Sequence, residues 1–275
     1  MEAVEVAREE AANLIGAADA SEIVFTSGAT EANNWVLEGY QHIVLSPLEH
    51  SSLHEPGLSR GAEFLVLGDE ELLVPEHADL VSAMLVNNET GQILAPSSLW
   101  GPWALHSDIT QAVGKLPVNV VDLGLDFASL SAHKFYGPKG VGALYIKGGW
   151  GLPPLLMGGD QEEGRRAGTL NVPGIVGLGR AARIARELLM ESRDHVSRLN
   201  EIVRDTLSKV PGTTIWDFRT QSPYILAPAF SGVDGEALVI EMDRMGFAIS
   251  SGAACSAGSG ELSHVLTALG IEPEW

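Results

Sequence analysis

The sequence predicts an α/β protein with a mostly parallel central sheet and a smaller α+β unit at its C-terminal end. Short apolar runs alternate with helical or loop connections through most of the chain, which is typical of parallel sheets. Polar residues follow several of these runs directly, at the sheet edge where open α/β folds bind ligands. The 275 residues are enough for one large domain, or for a large domain and a small one.

The elements of the larger unit follow from periodicity. Val4, Ala7, Ala11 and Leu14 repeat at helical spacing, so residues 1–20 are predicted to form a helix. A second helix is predicted over 29–40. Runs rich in β-branched, aliphatic and aromatic residues predict strands. These strands cover residues 22–26, 42–46, 63–67, 82–86, 103–107, 127–131 and 141–146.

A long amphipathic helix is predicted over 177–210, bounded by Pro173 and Pro211. The remainder predicts a small α+β unit. Its elements are a strand over 224–230, a helix over 235–245, a strand over 247–250 and a helix over 263–269. We therefore predict a large domain, residues 1–176, followed by an interdomain helix and a small C-terminal domain, residues 177–275.

Composition limits the classes of function. A net charge of −19 argues against a nucleic-acid-binding or anionic-membrane surface. The single cysteine, Cys255, excludes an internal disulfide. No apolar run is long enough to span a bilayer, and the acidic start of the chain is unlike a signal peptide. The sequence thus predicts a cytoplasmic protein with no nucleic-acid or membrane partner.

The segment from Ser129 to Pro138 is the most informative one. An apolar strand ends, His133 and Lys134 follow, and a Gly-Pro turn comes next. A lysine in this place can form a Schiff base with an aldehyde cofactor such as pyridoxal phosphate, while Ser131 and His133 reach its phosphate. The alternative is an ordinary solvated loop lysine.

A second segment, residues 26–34, predicts an anion site. A strand runs into Ser-Gly, and a helix begins at Ala29 or Thr30. The first amides of such a helix are unpaired, and its dipole favours an anion. Simple N-capping by Ser27 or Thr30 is the alternative.

Asp108 and His50 are further candidates. Asp108 closes a strand, where its carboxylate can keep a pyridine nitrogen protonated, and Gln111 can bond the ring hydroxyl from the same side. Asp108 also fits a helix N-cap, and both roles can hold together. His50 follows a strand and can stack on the cofactor ring and transfer protons, although most lone histidines are surface or satisfied core residues. No histidine pair shows metal-ligand spacing on one helix face.

Cys255 lies among small residues, in Ser-Gly-Ala-Ala-Cys-Ser-Ala-Gly-Ser-Gly. Because these residues cannot build a core, the segment is predicted to be an accessible, mobile loop rather than a buried site. A thiol on such a loop is suited to attack a sulfur atom held elsewhere.

Together these motifs resemble the cysteine desulfurases, pyridoxal phosphate enzymes of aminotransferase class V with fold type I. The long small-residue loop resembles that of the group with a flexible catalytic cysteine. The resemblance runs through nearly the whole chain. It rests on Thr26-Ser-Gly-Ala-Thr-Glu, Glu49-His, Val86-Asn-Asn-Glu-Thr-Gly, Asp108 with Gln111, Ser131-Ala-His-Lys-Phe-Tyr-Gly-Pro-Lys-Gly, Gly158-Gly-Asp-Gln-Glu, Arg166-Ala-Gly-Thr and Ser250-Ser-Gly-Ala-Ala-Cys.

The resemblance implies a role for each candidate. It implies conversion of L-cysteine to L-alanine, with the sulfur carried as a persulfide on Cys255 and passed to an acceptor or iron–sulfur scaffold protein. It also implies a homodimer in which Thr169 reaches the phosphate of the other subunit. It implies that Lys134 holds the cofactor and carries the substrate proton, and that Asn88 contacts the adduct of cofactor and substrate. The residues implied to contact the cofactor ring are Asp108, Gln111 and His50. The residues implied to bind its phosphate are Ala29, Thr30, Ser131 and His133.

Two departures keep other hypotheses open. Relatives begin several dozen residues earlier, and they continue into a strand that bears an arginine for the substrate carboxylate. No residue here matches that arginine; Arg166 matches a different one. A shortened or degenerate paralogue that binds the cofactor with little activity is therefore an alternative. A related lyase acting on selenocysteine or a cysteine conjugate is another.

Overall fold

The computed structural model describes residues 2–66, 74–252 and 263–271. The helices are α1 Glu2–Ile15, α2 Ala29–Glu38, α3 Ser51–Ser59, α4 Val172–Leu207, α5 Gly235–Arg244 and α6 His264–Ala268. The strands are β1 Ile23–Thr26, β2 Ile43–Leu45, β3 Glu63–Phe64, β4 Leu80–Ser82, β5 Ala104–Asp108, β6 Phe127–Ser131, β7 Gly142–Ile146, β8 Thr213–Ile215 and β9 Pro228–Phe230.

The first seven strands form one sheet in the order β1-β7-β6-β5-β4-β2-β3. The pairs β2–β3, β2–β4, β4–β5 and β5–β6 are parallel, whereas β7 is antiparallel to both β1 and β6. The strand β1 therefore points in the same direction as β6. This topology confirms the predicted α/β class with a mostly parallel sheet.

Helices cover both faces of the sheet. The helices α1 and α4 pack on one face, where Ile15, Ala128 and Leu178 belong to the same core cluster. The helices α2 and α3 cover the other face around Trp35 and Phe127. The two helices α1 and α4 approach closely, because a side chain at Gly179 would lie 2.5 Å from the Cα of Ala7.

The C-terminal unit contains the antiparallel pair β8–β9 and the helices α5 and α6. It contacts the large unit through residues 220–222, where Ile93 N–H donates to the Thr220 carbonyl and the Gln221 amide donates to the Thr90 carbonyl. The division at residue 177 stays a prediction; α4 begins at Val172 and runs through it.

Several predicted boundaries were wrong. The strand expected over 82–86 is β4, which ends at Ser82, and the apolar residues that follow stay buried beyond the end of the strand. Residues 247–250 do not form a strand, and Phe247 and Ile249 are exposed. The strand expected over 224–230 is reduced to β9. The structure also contains α3 and β8, which periodicity did not predict.

Pro173 lies inside the first turn of α4 rather than before it. A proline is tolerated there because the first helical N–H groups have no partner within the helix. Asn171 caps this end by accepting from Gly174 N–H. Among the described residues, no helix is both long and apolar enough to cross a membrane.

Candidate active site at the carboxyl edge of the sheet

Sheet direction brings the predicted residues to one edge. The strands β1, β2, β5 and β6 run the same way, so their carboxyl ends lie together. Gly28 follows β1, His50 follows β2, and Asp108 and Ser131 are the last residues of β5 and β6. Ligands of open α/β sheets bind at this edge.

The start of α2 forms an anion cup with β6. Gly28 is the N-cap, so neither Ser27 nor Thr30 caps this helix, and the N-capping alternative was wrong. Ser131 Oγ instead accepts a 2.7 Å hydrogen bond from Ala29 N–H. The Thr30 side chain is exposed beside this end of the helix.

Glycines let the backbone segments approach closely at this cup. A Cβ at Gly28 would lie 3.3 Å from Ser131 Oγ, and one at Gly142 would lie 2.6 Å from the Gly28 Cα. Glycine at both positions therefore lets β6 and β7 pack against the positively polarised start of α2.

Lys134 occupies a 3₁₀ turn, Ala132–Phe135, that directly follows β6. Phe135 is buried and anchors the turn, whereas Lys134 and His133 are exposed. Partial burial of its imidazole lowers the pKa of His133, and so do the charges of Lys134, Lys139 and Lys115. These three lysines thus place positive charge around His133.

Asp108 is buried at the end of β5 with both oxygens hydrogen-bonded. Oδ2 accepts from Asn33 Nδ2 at 2.8 Å, and Oδ1 accepts from Thr110 N–H at 2.9 Å. The second bond lies in the turn that follows β5. No helix begins within residues 109–126, so the alternative of a helix N-cap at Asp108 was wrong. A carboxylate offers about four acceptor positions, so Asp108 keeps capacity for another donor.

A buried polar cluster lies behind Asp108. Ser82 Oγ is 2.8 Å from His106 Nδ1, and Ser129 Oγ is 3.0 Å from His106 Nε2. Burial lowers the pKa of His106 to about 4, although the negative charge of Asp108 acts to raise it.

Glu49 is fully buried, and its carboxylate accepts a hydrogen bond from Met84 N–H at 2.8 Å. Burial raises the pKa of Glu49 well above its usual range, and the charge of Asp108 raises it further.

Gln111 is oriented by Lys115. Lys115 Nζ donates to Gln111 Oε1 at 2.6 Å. An ammonium only donates, so this contact must engage the amide oxygen and leaves the amide N–H₂ of Gln111 for other partners. Burial lowers the pKa of Lys115 to about 8, with a contribution from the charge of Lys134.

His50 is half-buried and caps α3, with its Nδ1 accepting from Ser52 N–H at 3.1 Å.

Asn88 lies in a loop that Asn87 holds in place, since Asn87 Oδ1 accepts from the amides of Glu89 and Thr90. The buried Asn88 Oδ1 has no hydrogen-bond partner in the described part of the chain. An unsatisfied buried amide oxygen marks a position where a ligand donor would be stabilised.

Thr169 is exposed on a loop that a buried ion pair holds to the sheet. Arg8 donates two hydrogen bonds to Glu162, at 2.8 and 2.9 Å, and Glu162 also accepts from Phe25 N–H. Glu162 adopts left-handed backbone angles, φ 51° and ψ 40°. The ion pair therefore secures a strained turn near Thr169.

Cys255 lies outside the described residues. The chain resumes at Ser263, and His264 Nε2 lies 2.8 Å from the Glu49 carbonyl, one residue before His50. The His264 ring also stacks on His54 with 3.9 Å between centroids. The C-terminal end of the cysteine segment is therefore anchored beside the candidate site.

Comparison with known proteins agrees with this geometry. A family model described as aminotransferase class-V matches residues 1–270. A cysteine desulfurase of Bradyrhizobium diazoefficiens is 40% identical over 301 residues, covering 99% of this chain and 76% of its own length. The chain belongs to the cysteine desulfurases of the class-V aminotransferase family.

Two solved structures support the same assignment. A NifS-like protein superposes with a TM-score of 0.89 at 32% identity, covering 99% of this chain and 79% of its own. The protein SspA, solved in complex with cysteine, has a TM-score of 0.76 at 29% identity and covers 99% and 84% of the two chains. The fold is therefore that of the fold type I enzymes, which depend on pyridoxal phosphate.

The residues present fit that cofactor. Asp108 has spare acceptor capacity for a ring N–H. The cup at Gly28 and Ser131 has the positive end of the α2 helix dipole, which favours a phosphate, and Lys134 lies three residues after Ser131. Aldehyde, pyridine nitrogen and phosphate are thus each matched by a group of suitable chemistry.

Sequence reasoning missed the residues that support these groups. Asn33, Ser52, Glu49, His106 and Lys115 were not predicted as site residues, although each bonds or lies beside a predicted one. Helical spacing could have revealed Asn33, which lies one turn after Ala29 on α2. Lys115 lies four residues after Gln111, a spacing that could also have revealed it. Ser52 and His106 depend on contacts between distant segments.

Proposed function

We propose that this chain takes sulfur from L-cysteine, releases L-alanine and carries the sulfur as a persulfide on Cys255. In this reaction the C–S bond of cysteine breaks, the Cys255 thiol gains the sulfur atom, and a proton replaces sulfur on the product carbon. The juxtaposition of Asp108 and Lys134 at the ends of the paired strands β5 and β6 carries the proposal. Bound pyridoxal phosphate supplies the electron sink for such chemistry.

Lys134 is proposed to hold the cofactor aldehyde and then to move the substrate proton. Its exposure in a turn anchored by Phe135 supports both roles, because the amine is free to move while its backbone is held.

Asp108 and Gln111 are proposed to bind the cofactor ring. Asp108 has room for a ring N–H, and Lys115 leaves the Gln111 amide N–H₂ available for the ring oxygen. His50 is proposed to stack on the ring and to act in proton transfer, and Asn88 to contact the bound substrate through its unsatisfied amide oxygen or its N–H₂.

Ala29, Thr30, Ser131 and His133 are proposed to bind the cofactor phosphate. The Ala29–Ser131 hydrogen bond supports this, since it aligns the start of α2 with the end of β6. Thr169 is proposed to complete the phosphate site of the partner subunit in a homodimer; its exposure is consistent with such a contact.

Cys255 is proposed to receive the sulfur and pass it to an acceptor protein for iron–sulfur cluster assembly or thiolation. The anchoring of His264 beside Glu49 supports this reach. Cys255 precedes His264 by nine positions in the sequence, and an extended segment of that length spans up to about 30 Å.

A product assay tests the proposal. The purified protein is incubated with pyridoxal phosphate, L-cysteine and a thiol reductant, and sulfide, alanine and pyruvate are measured. We expect alanine and sulfide in equal amounts, with none from Lys134→Ala. Pyruvate in place of alanine would indicate an elimination lyase. Tight cofactor binding without either product would indicate a degenerate paralogue.

A further inference from the structure

A continuous hydrogen-bonded chain joins His50 to Asp108. His50 Nδ1 lies 2.8 Å from Ser52 Oγ, which lies 2.8 Å from Asn33 Nδ2. Asn33 Nδ2 in turn donates to Asp108 Oδ2 at 2.8 Å. Asn33 is fully buried and Ser52 is 8% exposed, so these bonds are shielded from water.

The direction of each bond in this chain is determined by chemistry. Asp108 offers only acceptors when ionised, so the Asn33 atom facing it must be the N–H₂. That group has two hydrogens, and the second one goes to Ser52 Oγ. The Ser52 hydroxyl accepts from Asn33 and keeps its own hydrogen to donate to His50 Nδ1.

A second donor acts on the same ring nitrogen. The backbone N–H of Ser52 points to His50 Nδ1 at 3.1 Å, as the cap of α3. A backbone N–H cannot accept, so Nδ1 must carry a lone pair. The proton of the neutral imidazole therefore resides on Nε2.

We propose that Ser52 and Asn33 are positioning residues that lock His50 as an Nε2–H tautomer and tie its ring to the Asp108 carboxylate. In its neutral form His50 then offers the site a hydrogen-bond donor rather than a base. Proton uptake has to occur at Nδ1, where it displaces the Ser52 N–H and breaks the cap of α3.

The expected effect of Ser52 and Asn33 on turnover rests on the proposed desulfurase function. The tautomer itself is a property of the protein. Nuclear magnetic resonance with isotope-labelled histidine measures it directly through the nitrogen chemical shifts in alkaline buffer, with His50→Gln identifying the signal. We expect Nε2 protonated and Nδ1 unprotonated. A protonated Nδ1 would overturn the proposal even in an active enzyme.

The side-chain link is tested by Ser52→Ala, with Ser51→Ala as the matched control on the same helix. Loss of the hydroxyl removes a donor from His50 and an acceptor from Asn33. We expect a shifted Nδ1 signal and a fall in kcat of about tenfold, with less than about a twofold change in KM for L-cysteine.

Ser52→Thr retains the hydroxyl and should restore most of kcat. If Ser52→Ala matched Ser51→Ala in both kcat and the Nδ1 signal, the link between His50 and Asn33 would be wrong. If the wild-type protein released no alanine, the proposed function would fail, while the Nδ1 signals of the wild type and of Ser52→Ala would still decide the tautomer and the link.

Discussion

The backbone amide of Ala29 donates a 2.7 Å hydrogen bond to the side chain of Ser131, although 102 residues separate them. An N-cap side chain normally comes from the residue just before the helix. Here Gly28 takes that place, and a distant strand supplies the oxygen. This bond aligns the anion cup with the turn that carries Lys134, three residues after Ser131.

Borohydride labelling tests the cofactor lysine. Reduction should attach the cofactor to Lys134 irreversibly, and mass spectrometry of the digested protein should locate it there. Lys134→Ala should lose the label, whereas Lys139→Ala, a change five residues later in the chain, should retain it. The competing residue is Lys115, a neighbouring lysine whose lowered pKa favours a neutral amine. Attachment of the cofactor to Lys115 would contradict the assignment to Lys134.

Replacing the single cysteine separates cofactor binding from sulfur transfer. Cys255→Ser should bind pyridoxal phosphate and show the cysteine-induced spectral change as the wild type does, but form no persulfide. The reason is that the thiol acts after the substrate has bound. Alkylation of the wild type with and without L-cysteine, followed by mass spectrometry, measures the persulfide. Sulfide release at the wild-type rate by Cys255→Ser would exclude the acceptor role.

Mixed dimers test whether Thr169 acts in the partner's site. A dimer of one Lys134→Ala chain and one Thr169→Ala chain contains one intact site if Thr169 works across the interface, and none if it works within its own chain. Co-expressed, differently tagged chains should therefore give about half of the wild-type activity per dimer. Activity no higher than that of the Thr169→Ala homodimer would place Thr169 in its own site, and sedimentation as a monomer would exclude the shared site.

Acid should destabilise the protein through His106. Burial lowers the pKa of His106 in the folded state to about 4, from an ordinary value of 6.5, so the unfolded chain takes up a proton first as the pH falls. The stabilisation is present above pH 6.5 and is lost as the pH drops towards 4. It amounts to about 3 kcal/mol of unfolding free energy, which denaturant titration measures.

Carboxylates also titrate in this range, so the informative quantity is the difference between variants. His106→Gln should reduce the loss of stability between pH 6.5 and 4. His195→Gln, at an exposed histidine on α4, should leave it unchanged. Parallel pH curves for the wild type and His106→Gln would show that His106 does not titrate on unfolding.

The buried pair Arg8–Glu162 should stabilise the fold strongly. Arg8→Ala leaves the Glu162 carboxylate buried, with the Phe25 N–H as its one remaining hydrogen-bond donor among the described residues. Breaking such a pair costs about 3–5 kcal/mol. Arg183→Ala, which breaks an exposed pair with Glu187, should cost less than about 1 kcal/mol. The double variant Arg8→Met with Glu162→Gln should recover much of the loss in denaturant titration, because no buried charge is then left unpaired.

The sequence by itself predicted most of the helices and strands in their order, and the segments that are proposed to carry chemistry. Apolar periodicity located β6 at residues 127–131 and the long helix α4, because burial on one face imposes a repeat that local residues must satisfy. The residues around Lys134, Asp108 and Ala29 were recognisable because each motif is continuous or nearly so. Periodicity failed at 247–250, where the predicted strand does not form, and at α3, a short helix with too few residues to show a repeat.

Only the tertiary structure decided which side chains support those motifs. Asn33 and Asp108 lie 75 residues apart and meet at 2.8 Å because α2 packs across the end of β5. Ser52 and His106 make their long-range contacts in the same way, through strand register and helix orientation. Such contacts depend on the packing of several elements at once, and no local pattern in the sequence encodes a single hydrogen bond across that distance.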